Sequence, residues 1–326
     1  MKYTHLLTLL LAALCCAVSA DPAAAIHFGS GANQFSMEFV AIGSPGNTAD
    51  TTGSPNPAGA VGYDFQMGKH EVSEDMVDKY NAAFGTANGL LISKDTRGVD
   101  KPATNISWNE AARFVNWLNT SSGGFAAYKF TALGVNANIA LWTAADTLDF
   151  DAANPFRSLR ANYVLPSFDE WYKAAYYDPN ASSGAGGYWN FPTGSDSAPG
   201  AVASGTTVGT AVYSSQAGPA DIMLAGGLSP FGTMGQGGNV FEWQETESDL
   251  INNNSSFSRG VRGGIWSSSA VGLSSSTRSS LNPASDFNGN GFRVASLSSA
   301  AVPEPGSLAL AALASAGLWR RRRTPR

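Results

Sequence analysis

Two stretches of the chain carry apolar residues at three- and four-residue spacing, and each begins with a helix-capping signal. In Ser107-Trp108-Asn109-Glu110 the serine can accept from a first-turn amide while the glutamate reaches back to the cap. Ala111, Phe114, Val115 and Leu118 then form one inward face, which predicts a helix. Ser167-Phe168-Asp169-Glu170 repeats the device, and Trp171, Ala174 and Ala175 continue a second helix until Asp178-Pro179 stops it. A third helix is predicted from Ser73, with Met76, Val77 and Tyr80 turned inward. Short strands are predicted over residues 63–67, 261–266 and 291–295. Gly, Ser and Asn cluster between these runs, so the pattern describes a loop-rich α+β fold with little long regular structure.

The two ends follow a different logic. Lys2, an apolar run over residues 6–18 and the small residues Val18-Ser19-Ala20 are ordered as a secretory signal peptide over residues 1–20. The run of about 13 apolar residues falls short of the roughly 20 that span a bilayer. A lipoprotein signal fits poorly, because Leu14 stands before Cys15. At the other end, Val302-Pro303-Glu304-Pro305 precedes an apolar stretch over residues 306–319 and then Arg320, Arg321, Arg322 and Arg323. Arginines placed after an apolar segment stay on the cytoplasmic side, so the bulk of the chain is expected to face outward. Residues 302–326 thus resemble the PEP-CTERM sorting signal of Gram-negative envelope proteins. That resemblance implies an exosortase as sorting partner and removal of the tail. At 14 residues the transmembrane segment suits transient membrane insertion rather than a permanent anchor.

Setting both signals aside changes the charge and redox picture. Between them stand 14 basic and 24 acidic residues, a net charge of about −10. Such a surface repels phosphate backbones, which argues against nucleic acid as a partner. Both cysteines of the chain, Cys15 and Cys16, fall in the leader, so disulfides cannot stabilise the exported part. About 280 residues remain, enough for one large core, and no linker or repeat divides them.

Several motifs stand in order along that remainder: residues 68–73 (Gly-Lys-His-Glu-Val-Ser), 101–111 running on to Trp117-Leu118, and 165–171 (Leu-Pro-Ser-Phe-Asp-Glu-Trp). Gly238-Asn239-Val240-Phe241-Glu242-Trp243, Arg262-Gly263-Gly264-Ile265-Trp266 and Gly291-Phe292-Arg293-Val294-Ala295 complete the series. Together they resemble the formylglycine-generating enzyme, or sulfatase-modifying factor, domain family. The resemblance places that domain at residues 34–298, after an N-terminal extension over 21–33, and implies a variant of the C-type lectin fold with small sheets and two or three helices. Trp171, Trp243 and Trp266 read as core rather than as ligand platforms, and Gly263-Gly264 as a tight backbone approach.

The family's best-known enzyme binds copper through two cysteines spaced five apart, between the Arg-Gly-Gly and Gly-Phe-Arg segments. Here that interval, residues 266–290, is serine-rich and has no cysteine. A hard, protonated hydroxyl does not replace a thiolate on soft Cu(I), so no copper and no formylglycine-generating activity are expected. Family members also hold calcium with the Gly-Asn-Val-x-Glu-Trp motif, which maps the candidate metal ligands to Gly238, Val240 and Glu242. The preceding ligand position is Gly235, without the usual side chain, and buried hydrogen bonding of Glu242 to backbone amides is the competing expectation.

Other chemistry is thin. His70-Glu71-Val72-Ser73-Glu74 lacks the second histidine of a zinc-protease helix, so His70 reads as a surface residue at a helix entry. The glycines at 232, 235, 237 and 238 lack the lysine and hydroxyl of a phosphate loop. Residues 286–291 open like a calcium loop, but Leu297 stands at position twelve where a glutamate belongs. The leading expectation is therefore an exported, noncatalytic binding or structural domain of the cell envelope, cell surface or extracellular matrix. Its partner would be a glycan or protein, contacted partly through the exposed stretch 267–290. The alternative is an enzyme of unknown reaction using carboxylates such as Asp286 or Glu245.

Overall fold

The structure is a computed structural model that describes residues 25–297. The leader and the sorting tail lie outside the described residues. Two small sheets carry the fold. The first has five strands in the order β1 (Ala25–Phe28), β2 (Phe35–Ile42), β3 (Phe65–Gly68), β13 (Ala295–Ser296) and β4 (Tyr163–Val164), all antiparallel. The second runs β11 (Ser279–Leu281), β10 (Arg259–Arg262), β9 (Phe241–Glu247) and β12 (Asn290–Gly291), with β12 parallel to β9. Two short ribbons, β5 (Tyr177–Asp178) with β6 (Gly187–Tyr188) and β7 (Gly200–Ala201) with β8 (Thr210–Ala211), stand apart.

Three helices pack on these sheets: α1 (Glu74–Tyr80), α2 (Trp108–Ser121) and α3 (Phe168–Tyr176). Both expected capping boxes are formed, on Ser107 with Glu110 and on Ser167 with Glu170. Ser73 caps α1 by accepting from the Met76 amide. Val77 and Tyr80 are buried as expected, whereas Met76 is half-buried. Helix α3 ends at Tyr176, where the chain turns extended before Pro179.

Helix α2 lies inside the domain, with its face of Ala111, Phe114, Val115 and Leu118 fully buried. The Phe114 ring meets Phe292 edge-on at 5.5 Å and stacks on Phe35 at 6.1 Å. Asn119 joins this helix to β4: its amide donates to the Tyr163 carbonyl at 2.7 Å and its oxygen accepts from the Asn162 and Tyr163 amides. Two indoles peg the start of α2 to β9, since Trp243 Nε1 donates to the Ile106 carbonyl at 2.8 Å and Trp108 Nε1 to the Gln244 carbonyl at 3.0 Å. Buried donors of this kind need partners; Trp108 finds one on β9 and Trp243 one in the segment that leads into α2.

The expected strands are shifted. Tyr63 precedes β3 and is 48% exposed. Strand β10 ends at Arg262, because Gly263 and Gly264 take φ of 98° and 77°, a region glycine enters without penalty. The single strand expected over 291–295 is split, its ends pairing in different sheets as β12 and β13. Trp171 and Trp243 are fully buried, but Trp266 is only half-buried and carries the Arg97 guanidinium over its ring at 4.9 Å.

Candidate functional site

Strand β9 organises the polar interior. Its sequence, Phe-Glu-Trp-Gln-Glu-Thr-Glu, is buried from Glu242 onward, and each of its three glutamates meets an arginine. Period-two alternation turns Glu242 and Glu245 to opposite faces, which makes two separate clusters.

The first cluster is sealed. Arg293 grips Glu242 with two nitrogens, Nε lying 2.5 Å from Oε2, and Trp171 Nε1 donates to the same oxygen at 2.6 Å. The guanidinium also donates to the Gly68 and Met234 carbonyls at 2.8 Å. Glu71 lies beside this pair, fully buried, accepting from Asn239 Nδ2 at 2.9 Å with its other oxygen enclosed. Burial pushes the Glu71 carboxyl up to about 7; Arg293 opposes the rise and the Glu242 charge adds to it.

These contacts decide how calcium fits. Glu242, the one charged ligand in the expected set with Gly238 and Val240, has both oxygens engaged by Arg293 and Trp171. A divalent ion there would face a guanidinium 2.5 Å from its carboxylate. A Cβ on Gly235 would stand 2.5 Å from Glu71 Oε1, so that position supplies no side-chain ligand and no room for one. As these side chains stand the donor set does not fit calcium, and no step is derived through it. The competing expectation of buried hydrogen bonding by Glu242 is realised with an indole and a guanidinium instead of backbone amides. Asp221, on the far side of His70, pairs with Lys101 at 2.9 Å and is not part of this set.

The second cluster underlies a cleft. Arg157 holds Glu170 through Nη1 and Nη2, both at 2.9 Å, and Glu245 through Nε at 2.8 and 2.9 Å. Glu170 also accepts from the Tyr63 hydroxyl at 2.6 Å, and Glu245 from Asn154 at 2.5 Å and Tyr128 at 2.8 Å. Burial by itself would raise Glu170, yet Arg157 and the Tyr63 hydroxyl hold it below the ordinary carboxylate range. Burial, with the Glu170 charge, raises Glu245. Above lies a cleft of about 320 Å³ walled by Tyr63, Asp64, Asp151, Asn154, Arg157 and Leu159. Glu245 stood out in the sequence, but Arg157 and Tyr63 did not, because both lie outside the family motifs.

The former copper interval is divided. A 3-10 turn, Ala270–Leu273, drives Leu273 fully inside, where Tyr176 Oη donates to its carbonyl at 3.0 Å. Ser275 is buried too, while Ser276, Ser279 and Ser280 are exposed, so only the outer part of 267–290 is the expected free surface. Asp286 is exposed and far less constrained than Glu245. His70 is half-buried rather than a free surface residue: Nδ1 lies 2.8 Å from the Ile222 carbonyl, Nε2 is enclosed, and burial draws its pKa down to about 4. Among the described residues no cluster of three or more His, Cys, Asp or Glu side chains suits a metal ion.

A mixed α+β domain with small curled sheets, the motif residues Trp171 and Trp243 in the core and glutamates paired with arginines inside defines the class. The chain belongs to the sulfatase-modifying factor enzyme 1-like domain family, whose model matches residues 32–297. A second model, the PEP-CTERM protein-sorting motif, matches residues 301–323. No curated protein matches the chain. Among solved structures it is similar to the variable protein 1 of Treponema denticola, with 17% identity and TM-score 0.54, covering 83% of this chain and 98% of that one. It is similar to CarF at 18% identity and TM-score 0.53, covering 80% and 98%. PvdO from Pseudomonas aeruginosa follows at 16% identity and TM-score 0.50, covering 85% and 99%. At these identities the likeness shows the fold alone. The sorting motif marks an exported protein of a Gram-negative-type bacterium that is handled by an exosortase. Among the described residues no helix is long and apolar enough to cross a membrane.

Proposed function

We propose that this exported protein is a noncatalytic binding module of the cell envelope or matrix, built on a scaffold whose family includes both enzymes and noncatalytic members. The observation that carries the reading is the state of the former copper interval. It holds no cysteine, its inner turn is filled by Leu273, and its outer part is an exposed run of serines. Redox chemistry of the soft-metal kind has no thiolate ligand there. Three interior carboxylates support the same reading, because Glu170, Glu242 and Glu245 are each paired with an arginine rather than left free as bases. The ligand class is a glycan or protein outside the cell.

The test is binding of the purified exported protein to a glycan array and to matrix extracted from the producing cells. Saturable binding to a defined glycan or matrix protein is the expected result. Absence of binding in both formats would sink the proposal. A second reading, an enzyme working at the Tyr63 cleft, draws on the two carboxylates beneath it. It requires a turnover that Glu245→Gln abolishes while folding is kept.

A further inference from the structure

A serine-lined cleft opens over the outer part of residues 267–290. Its volume is about 430 Å³, and its walls are the hydroxyl-bearing residues Ser54, Ser248, Ser276, Ser279 and Ser280, with Arg278 among them. Among the described residues no carboxylate lines it.

The arginines at this place are unusual for the molecule. Arg97, Arg157, Arg160, Arg259 and Arg293 all pair with an acidic side chain. Among the described residues Arg262 and Arg278 have no carboxylate within salt-bridge distance, and they stand together against one ring, at 5.3 and 5.0 Å from the Phe168 centroid. Arg113 also lacks such a partner, but it stands by itself and ties down the loop at 132–135. Arg278 donates to Gln244 Oε1 and to the carbonyls of Thr246, Glu247 and Ser248. Arg262 is fully buried; it holds the carbonyls of Ser54, Ser275 and Thr277, and its Nε has no acceptor. Carbonyl dipoles and an aromatic face orient these guanidiniums but do not neutralise them. Burial, with Arg262 close by, lowers Arg278 to about 10, while Asp169 and Asp249 oppose this only from a distance. An anion in the cleft would relieve both the mutual repulsion and the missing counter-charge.

We infer that this cleft receives a single anionic substituent, a sulfate or carboxylate, of an acidic polysaccharide, with Arg278 supplying charge and the serines supplying hydrogen bonds. The inference rests on the binding-module reading and names the ligand class for it. A single substituent fits better than a dense polyanion, because the exported part as a whole carries about −10 and repels long stretches of negative charge.

The experiment measures binding of the full exported protein to sparsely sulfated dextran, sparsely carboxymethylated dextran and uncharged dextran, with inorganic sulfate as competitor. The variant is Ser276→Asp with Ser280→Asp, two exposed positions where carboxylates place the wrong charge in the cleft and leave the core untouched. Retention on one acidic polymer but not on dextran, competition by sulfate and at least a tenfold loss in the variant are expected. The preferred polymer tells sulfate from carboxylate. A variant that binds as well as the parent, or a parent that prefers uncharged dextran or a protein, overturns the inference while leaving the binding module in place. A protein that binds nothing defeats both. A melting curve matching the parent's confirms that the variant is folded, and Arg278→Lys, which keeps the charge, should retain more affinity than the double aspartate.

Discussion

The clusters around Arg293 and Arg157 differ in what surrounds the same chemistry. Around Arg293 everything is closed: the guanidinium and Glu242 are both fully buried, and among the described residues Glu242 has only the Trp171 indole apart from the arginine. Around Arg157 each carboxylate has two further donors, and the guanidinium reaches the floor of a cleft. A sealed ion pair without alternatives is a structural staple. A backed-up pair beneath a cleft tolerates change, and that is where a fold of this kind has freedom to vary.

Removing the arginines should separate the two most sharply. Arg293→Met leaves Glu242 charged in a closed site and frees the Gly68 and Met234 carbonyls, so a loss of about 3–5 kcal/mol is expected, enough to unfold a marginal domain. Arg157→Met leaves Glu170 with Tyr63 and the Ser167 amide, and Glu245 with Asn154 and Tyr128. Its cost should be about 2 kcal/mol, since donors remain and water can enter from the cleft. Urea denaturation of both variants checks the order. Equal costs, or the reverse order, would break the distinction.

Acidity sharpens the same contrast through Glu71. A carboxyl whose pKa is raised in the folded state contributes stability while it is protonated, and that contribution fades as pH rises from its unfolded value to its folded one. For Glu71, raised by burial, the window runs from 4.5 to about 7. Glu71→Gln should therefore flatten the fall in stability across that window relative to the parent, by up to about 1.4 kcal/mol for each pH unit crossed. At pH 8 the variant should equal or exceed the parent's stability. Glu170 behaves oppositely: despite its burial Arg157 holds it low, so its contribution is lost only as pH falls. Melting curves at pH 4.5, 6 and 8 decide the point. An unchanged slope in Glu71→Gln would show that the carboxylate next to Arg293 is charged throughout.

Legibility in the sequence followed the same division. Capped helices were readable because Ser107 with Glu110 and Ser167 with Glu170 encode local geometry, and the local geometry formed. Strand β2 alternates apolar and polar residues from Phe35 onward, a signal that was available without the structure. Strand β9 was not readable as a strand: five of its seven side chains are Glu, Gln or Thr inside the protein, and its glutamates are held there by arginines from other segments. Hydrophobic periodicity cannot reveal a strand whose burial depends on ion pairing. The family motif pointed to Glu242 but not to its partner's role, since a carboxylate on calcium and a carboxylate on Arg293 are written with the same letter. Likewise the serine-rich interval gave away the missing thiols, while the burial of Leu273 depends on packing with Tyr213 and Ala211 from another segment.

Smaller effects test the edges of each cluster. Tyr63→Phe removes the donor to Glu170 at the mouth of the cleft, where water can replace it, and should cost no more than about 1 kcal/mol in a chemical denaturation curve. A loss of several kcal/mol would mean that the cleft cluster is as intolerant as the sealed one.

Calcium gives the smallest expected change. Because Arg293 and Trp171 occupy both oxygens of Glu242, and Gly235 leaves its space to Glu71, millimolar calcium or a chelator should leave the melting temperature of the exported protein where it is. Binding a ligand at a hundred times its Kd adds about 2.7 kcal/mol, so a site of even modest affinity would show as a clear upward shift. A shift of several degrees that Glu242→Gln removes would mean that calcium displaces the guanidinium. Arg293 would then be the residue that moves, and the cluster regarded as sealed would be the more adaptable of the two.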